Sequence, residues 1–185
     1  MEVPEALFKR IATDQIVKLP ESERCDTIMI TVDRLTEIVH FSLTTEVLEI
    51  EGHANLYIRD IFQLHGVPEE ILSDQSPAYA SKLLRAIYQG IGIKPTMTTA
   101  YHPQTDGKTE RMNAEIEQYL RAFCAYRQDD WASWLPIAEF ALNARVSSAT
   151  GRSPFELLYR YQLEFRVSEN PMTNVPAANE RLKLL

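Results

Sequence analysis

The sequence predicts an α/β domain whose mixed five-stranded sheet has helices on both faces. Three strand-like segments joined by short connections lie between residues 8 and 43, which is typical of an antiparallel meander. Beyond them strand and helix patterns alternate, and this alternation favours parallel strands added to the meander. The 185 residues, of which 45% are apolar and 24% charged, suffice for one such domain with its own core.

The first three strands are predicted within residues 8–19, 27–32 and 39–43. The first has only weak alternation, whereas the second is a run of mostly β-branched residues, which favour extended backbone. In the third, apolar residues at alternate positions predict a half-buried strand. A turn at 21–24 separates the first strand from the second.

A helix is predicted over about 45–65, because apolar residues recur at three- and four-residue steps until Gly66 ends the pattern. Its stripe consists of Val47, Leu48, Glu51, Ala54, Tyr57, Ile58, Ile61, Phe62 and His65. A short strand at 70–73, a helix at 80–90 and a strand at 96–100 follow, which completes the predicted sheet.

Two further helices are predicted before the end of the domain. The long one spans about 107–127. Its apolar stripe consists of Met112, Ile116, Tyr119, Leu120, Phe123 and Tyr126. On the opposite face lie Glu110, Ala114, Glu117 and Arg121.

The next helix carries Trp131 and Trp134 at helical spacing, which indicates core or interface residues rather than a platform for stacking bases. Pro136 must kink this helix or lie in its first turn. We expect the domain to comprise residues 1–161. Residues 162–185 are expected to form a linker and the start of a C-terminal helix.

Charge and cysteine content narrow the function classes. A net charge of −7 with a pI near 5.2 argues against a free-standing DNA-binding module. Most of the positive charge that neutralises DNA phosphates would then have to come from outside this chain, such as from flanking domains. No apolar run is long enough for a membrane span, so we expect no membrane partner. Cys25 and Cys124 lack zinc-knuckle spacing, and we interpret both as buried, inert thiols in a reducing intracellular compartment.

Three acidic residues are the candidate catalytic groups. Asp74 ends the run Glu-Ile-Leu-Ser-Asp, and Glu110 lies in the polar block 101–113, with thirty-five residues between the two. Together with Asp14 they supply three carboxylates. Converging carboxylates can hold two hard divalent cations that drive in-line phosphodiester chemistry. Taken singly, Asp74 could cap a helix, Glu110 could be a surface residue near a helix start, and Asp14 a solvated strand position.

Six ordered blocks of sequence carry a family resemblance. They are Val32-Asp33-Arg34-Leu35-Thr36, Leu64-His65-Gly66-Val67-Pro68, Ile71-Leu72-Ser73-Asp74, residues 100–113, residues 131–140, and Thr150-Gly151-Arg152-Ser153-Pro154-Phe155. With these blocks, the chain resembles the catalytic core of integrases from gypsy-type long-terminal-repeat retrotransposons, which are retroviral-integrase-like. The resemblance covers about residues 8–161 and implies an RNase H-like fold.

The resemblance implies that Asp14, Asp74 and Glu110 form a catalytic triad that holds two Mg²⁺ or Mn²⁺ ions. The implied reactions are 3′-end processing of element DNA and its strand transfer into target double-stranded DNA. Candidate DNA contacts flank the triad, although each could instead belong to an ordinary polar loop. They are His102, Gln104, Lys108, Arg111 and Asn113. The resemblance also implies a homodimer or higher homo-oligomer, found in the nucleus and also in a cytoplasmic virus-like particle.

The chain departs from the family pattern at several positions. Gln15 replaces an aromatic residue after the first aspartate, and residues 75–79 replace an Arg-Gly-Pro-Gln-Phe run after the second. Ser147 stands where histidine is common, and Arg160 where glycine is usual. The family's amino-terminal zinc-binding domain and carboxy-terminal DNA-binding domain are expected to be absent.

These departures leave two alternatives to an active integrase core. One is a domesticated or inactive core that serves as a dimerisation or scaffold module. The other is a different RNase H-like nuclease such as a ribonuclease, which the polar block 101–113 disfavours. His40, His53 and His65 lack the spacing of metal ligands along the chain, and we interpret them as structural.

Overall fold

The computed structural model describes residues 6–47, 50–73, 88–97, 114, 116–121, 124, 129–148 and 150–164. Within these ranges the chain folds into one five-stranded sheet with helical segments on both faces. No helix in the described ranges is long and apolar enough to cross a membrane.

The sheet has the order β3-β2-β1-β4-β5. Its strands are β1 (Arg10–Ile16), β2 (Thr27–Asp33), β3 (Val39–Thr44), β4 (Glu70–Ser73) and β5 (Lys94–Met97). The pairs β1–β2 and β2–β3 are antiparallel, whereas β1–β4 and β4–β5 are parallel. The predicted meander with added parallel strands is therefore confirmed. The first strand is shorter than predicted, and the last begins at Lys94 rather than at residue 96.

The strand sequences match their positions in the sheet. All seven residues of β2 are buried, because packed layers cover both of its faces. The predicted turn at 21–24 is confirmed, since Ser22 and Cys25 exchange two backbone hydrogen bonds of 2.9 Å. Glu23 and Arg24 between them have φ values of 51° and 64°. Positive φ at both central residues gives the twist that tight hairpins favour.

The predicted helix at 45–65 is wrong in its start and in its regularity. Residues 45–47 are not helical, and Val47 is 91% exposed. The helical residues divide into α1 (Ile50–Tyr57), a π-helical turn (Ile58–Phe62) and α2 (Gln63–His65). A π turn holds more residues than an α turn, so it shifts the phase of the apolar stripe. Ile61 is consequently buried, while Ile58 is 53% exposed.

The predicted helices at 80–90 and 107–127 lie only partly in the described ranges, where residues 88–90 and 116–121 are helical. In the second, Ile116 and Leu120 are buried, whereas Ala114 and Arg121 are exposed, as the predicted stripe requires. The helix after it is α3 (Trp131–Ala144). Pro136 lies in its interior and not in its first turn, with its ring on the solvent side.

Two apolar clusters pack on opposite faces of the sheet. The first combines Ile11, Met29 and Ile71 of the sheet with Tyr57 and Ile61 from the helical side. The second combines strand residues with the 116–121 helix and α3. Its members include Ile16, Ile28, Ile30, Val32, Ile116, Leu120, Trp131, Leu135 and Ala138. Trp131 is 2% exposed, which confirms its predicted place in the core.

Side chains of α3 bind the free edge of β3. The Asn143 side chain accepts a hydrogen bond from Val39 N and donates one to Val39 O, both at 2.8 Å. Two residues along the strand, Phe41 N donates to Glu139 Oε2 at 2.8 Å. These two side chains satisfy backbone groups that an edge strand would otherwise leave open to pairing with another chain.

The last described helix, α4 (Pro154–Tyr159), has clear end signals. Ser153 accepts a hydrogen bond from Glu156 N at its N-terminus, and Pro154 occupies the first helical position. Arg160 ends the helix in the left-handed conformation, with φ of 69°. Glycine is favoured at such a position because it has no Cβ, so an arginine is unusual there.

Candidate active site

Asp14 lies near the carboxyl end of β1, the central strand of the sheet. Its Cα is opposite Ile30 of β2, and its Oδ1 accepts a hydrogen bond of 2.8 Å from Gln15 N. The side chain is half-buried. Asp14 pairs with β2, and the preceding residue Thr13 also pairs with β4, so the backbone that carries this carboxylate is well defined.

The face of the sheet that carries Asp14 follows from strand alternation. Directly paired residues share a face, and Ile30 belongs to the apolar cluster that includes Ile116 and Leu120. Ile16, two residues after Asp14, belongs to the same cluster. Asp14 therefore lies on the face that the 116–121 helix covers.

The strand that precedes Asp74 pairs directly with β1. The parallel register runs from Arg10 opposite Glu70 to Thr13 opposite Ser73, where β4 ends. Asp14 is thus the next residue of β1 after the last pair. The two strands run in the same direction, so their carboxyl ends meet at one edge.

Of the catalytic, metal-binding and DNA-contacting residues that the sequence predicts, only Asp14 lies in the described part of the chain. The others are Asp74 and Glu110, together with the candidate DNA contacts His102, Gln104, Lys108, Arg111 and Asn113. Their roles stay predictions. Within the described residues, no group of three or more histidine, cysteine or acidic side chains could hold a metal ion.

A groove of 250 Å³ opens beyond the end of β1. Lys18, Leu19 and Pro20 form one wall, and helical residues including Glu117 and Arg121 form the other. Arg121 Nη2 lies 3.1 Å from Glu117 Oε2. Both residues belong to the helix face on which the sequence places Glu110, so this face is polar and borders the groove.

A buried carboxylate at the end of β2 organises the segment that enters β1. Asp33 is 0% exposed. Its Oδ1 accepts a hydrogen bond of 3.0 Å from Phe8 N. Its Oδ2 accepts hydrogen bonds from Thr36 N at 3.0 Å and from Thr36 Oγ1 at 2.7 Å. The bonds to Thr36 could be expected from the sequence, because an aspartate side chain often accepts a hydrogen bond from the backbone two or three residues later. The bond to Phe8 could not, because Phe8 lies 25 residues earlier in the chain.

Two of the histidines interpreted as structural form a cluster with a glutamate. His40 Nε2 lies 2.8 Å from His65 Nε2, and His40 Nδ1 lies 2.9 Å from Glu139 Oε1. The Phe8 ring stacks on the His65 ring at 3.5 Å with an angle of 2° between the planes. Burial, followed by the neighbouring charge of His40, lowers the pKa of His65 to about 4. Burial also lowers the pKa of His53.

The two cysteines have the character of inert thiols, although they are half-buried rather than buried. Burial is the main cause that raises the pKa of both thiols, and nearby acidic residues raise it further. A raised pKa suppresses the thiolate, which is the reactive form.

Comparisons with known proteins place these features in context. No protein-family model matches the chain. It is 27% identical over 157 residues to the transposon Tf2-3 and Tf2-4 polyproteins of Schizosaccharomyces pombe. The matched segment covers 85% of this chain and only 12% of each polyprotein.

Solved structures share the fold at lower sequence identity. The catalytic core domain of BIV integrase aligns with a TM-score of 0.61 at 18% identity, covering 83% of this chain and 95% of that one. The HTLV-2 integrase core in complex with magnesium aligns with a TM-score of 0.61 at 19% identity, covering 80% and 95%. A chain of the simian T-cell lymphotropic virus intasome aligns with a TM-score of 0.69 at 18% identity, covering 95% and 63%.

These likenesses confirm the RNase H-like fold and the resemblance to integrase catalytic cores that the sequence predicted.

Proposed function

We propose that this chain, which has the fold of retroviral integrase cores and a sequence related to retrotransposon polyproteins, is the catalytic core of a retrotransposon integrase. The proposed reactions are metal-dependent processing of element DNA at its 3′ ends and transfer of those ends into target DNA. The observation that carries the proposal is the parallel register between β1 and β4.

That register supports pairing of the first two carboxylates. Thr13 and Ser73 form the last pair, and the residues bonded to them are Asp14 and Asp74. Neighbouring strands lie about 4.8 Å apart, which suits two side chains that share a cation. Alternation along a strand assigns the position after Ser73 to the same face as Asp14. We therefore propose Asp14 and Asp74 as the central pair of ligands.

The placement of the 116–121 helix supports Glu110 as the third ligand. Ile116 and Leu120 pack on the face of the sheet that Asp14 shares with Ile16. Glu110 precedes this segment by six residues, on the polar side of the predicted helix. We therefore propose that Glu110, near the start of the helix that covers the face of Asp14, supplies the third carboxylate of the site.

The donor set suits a hard divalent cation. Carboxylate oxygens are the ligands that Mg²⁺ and Mn²⁺ prefer, and the HTLV-2 core was determined in complex with magnesium. We propose two ions held by Asp14, Asp74 and Glu110. The chemistry supplied by such ions, when bound, is activation of water or a DNA 3′-hydroxyl and stabilisation of the leaving oxygen.

The remaining roles fall to the polar residues near the triad. His102, Gln104, Lys108, Arg111 and Asn113 are proposed to bind and orient the DNA end, because their side chains suit phosphate and base-edge contacts. This reaction needs no serine, tyrosine or cysteine nucleophile. The raised pKa of the Cys25 and Cys124 thiols is compatible with that expectation.

A melting experiment with Mg²⁺ tests the metal site. Clustered carboxylates repel one another, so millimolar Mg²⁺ should raise the melting temperature of the wild-type chain by mass action. Asp14→Asn and Asp74→Asn should lose most of that rise. Asp129→Asn, which alters an exposed carboxylate near α3, should keep it. Equal shifts in all four proteins would show that the assigned site does not hold the ion.

A strand-transfer assay on element-end duplexes tests the reaction. Nicking and joining should disappear in Asp74→Asn and in Glu110→Gln while circular dichroism shows an intact fold. If the wild-type chain binds Mg²⁺ but neither nicks nor joins DNA, the scaffold alternative is favoured. The substitutions at residues 75–79 would then be the first positions to restore.

Assembly and DNA affinity can be measured on the same preparation. We propose a homo-oligomer, and light scattering should report at least a dimer at micromolar concentration. A monomer at every concentration would contradict this proposal.

The net charge of −7 predicts weak DNA binding by the isolated chain that weakens further with salt. Action on target DNA implies a nuclear location, which fluorescence microscopy of a tagged chain would test.

A further inference from the structure

The cluster of His40, His65 and Glu139 lies on elements that the proposed catalytic site does not use. His40 is on β3, His65 ends α2, and Glu139 is on α3. The facing Nε2 atoms are 2.8 Å apart, and the side chains of His40 and Glu139 are 17% and 27% exposed. The cluster is thus ordered by three elements and open to solvent.

We propose that His40 Nε2 and His65 Nε2 form a binding site for a borderline divalent transition metal such as Zn²⁺, with Glu139 orienting His40. Imidazole nitrogen is a preferred ligand of this class of metal. Two Zn–N bonds of about 2.0–2.1 Å at a tetrahedral angle place the nitrogens about 3.3 Å apart. The observed pair needs to open by roughly 0.5 Å to reach that separation.

Glu139 supplies the feature that distinguishes a metal ligand from a surface histidine. Its Oε1 lies 2.9 Å from His40 Nδ1, so the Nδ1–H of His40 donates to the carboxylate. The Nε2 lone pair of His40 then points away from Glu139 toward His65. A carboxylate that binds the second nitrogen of a metal-ligating imidazole fixes its tautomer and raises its basicity.

Phe8 fixes the other imidazole without blocking it. The two rings are stacked face to face at 3.5 Å. The lone pair of Nε2 lies in the plane of the imidazole, so a ring stacked on its face leaves the metal direction open. The two remaining tetrahedral positions are assigned to water, because no third protein ligand joins the pair among the described residues.

The protons balance on binding. In the metal-free protein, the hydrogen bond between the two Nε2 atoms requires that one of them carries a proton. When both imidazoles are neutral and the Nδ1–H of His40 is directed to Glu139, that proton is on His65 Nε2. Binding moves it through solvent to His65 Nδ1, so neutral imidazoles bind the ion without net proton release.

Zn²⁺ titration in competition with a chromophoric zinc chelator tests the proposal. The wild-type chain should bind one Zn²⁺ at this site with micromolar affinity or tighter and should melt on the order of several degrees higher. His65→Gln should weaken this binding about 100-fold, and Glu139→Gln about 10- to 100-fold. Glu69→Gln, the change matched to Glu139→Gln at an exposed glutamate that pairs with Lys9, should bind as wild type does.

His40→Gln provides a second ligand variant that keeps the contact between Phe8 and His65. Asp14→Asn should leave Zn²⁺ affinity unchanged, because the proposed catalytic carboxylates are not part of this site. Millimolar Mg²⁺ should not displace the Zn²⁺, since Mg²⁺ prefers oxygen ligands. Failure of the wild-type chain to bind Zn²⁺ below millimolar concentration, or unchanged binding in folded His65→Gln and His40→Gln, would overturn the proposal and leave a hydrogen-bonded pair.

Discussion

Replacing Asn143 should expose how strongly the fold depends on the covered edge of β3. Asn143 is 1% exposed and Val39 is 0% exposed, so water cannot replace the two 2.8 Å hydrogen bonds between them. Asn143→Leu keeps a similar volume but leaves Val39 N–H and Val39 C=O without partners. A buried unsatisfied backbone group costs about 1–3 kcal/mol, so with two such groups the variant should lose about 2–6 kcal/mol.

That loss is a large share of the roughly 5–15 kcal/mol that stabilises a typical domain. Urea unfolding at neutral pH, followed by circular dichroism, measures it directly, with equal m-values as the check for two-state comparison. Asn55→Ala alters an exposed asparagine on α1 and should change stability by no more than about 0.5 kcal/mol. A loss below about 1 kcal/mol in Asn143→Leu would refute the reasoning.

Asn143→Asp separates the hydrogen bonds from the packing. An ionised aspartate accepts from Val39 N but cannot donate to Val39 O, whereas a protonated aspartate can do both. This variant should therefore lose stability at neutral pH and recover part of it, relative to wild type, as the pH falls. A constant difference from wild type across pH would mean that the donated bond contributes little.

Two further predictions concern Arg160 and His53. Arg160→Gly should stabilise the chain by about 0.5–1 kcal/mol, because φ of 69° strains any residue with a Cβ. Arg160→Ala controls for the lost charge. A lower melting temperature for the glycine variant than for wild type would contradict the prediction. His53 is buried and its pKa is lowered, so the unfolded chain takes up the proton first as the pH falls below 6.5. Stability should fall with pH in that range, and His53→Leu should flatten the dependence of melting temperature on pH; parallel curves for the two proteins would count against the assignment.

The sequence predicted the sheet well, because each strand has a local pattern. Residues 27–32 are mostly β-branched, and 39–43 alternate, so their pairing as a meander needed only short connections. The π-helical turn at 58–62 was missed because it shifts a helical pattern by less than one position. Ile58 was wrongly assigned to the buried stripe because the buried face of α1 is centred on His53, Leu56 and Tyr57, and Ile58 lies beside that face rather than on it.

Long-range polar contacts were not predictable from local sequence. Asn143 and Val39 are 104 residues apart, and His40 and Glu139 are 99 apart. Neither pair has a spacing that helical or strand periodicity could reveal. His65 was interpreted as structural for the same reason, since its partner is on a strand that precedes it by 25 residues.

The structure describes the position of Asp14, whose catalytic role stays a prediction, and that position indicates how the proposed site would be organised. β1 is the strand at which the antiparallel and parallel halves of the sheet meet. It therefore has hydrogen-bonded neighbours on both sides, and Asp33 fixes its entry through Phe8 N. A carboxylate on such a strand cannot shift without breaking the sheet. Side chains held on strands are placed more precisely than side chains on loops, so we expect Asp14 to be the best-defined ligand of the proposed site.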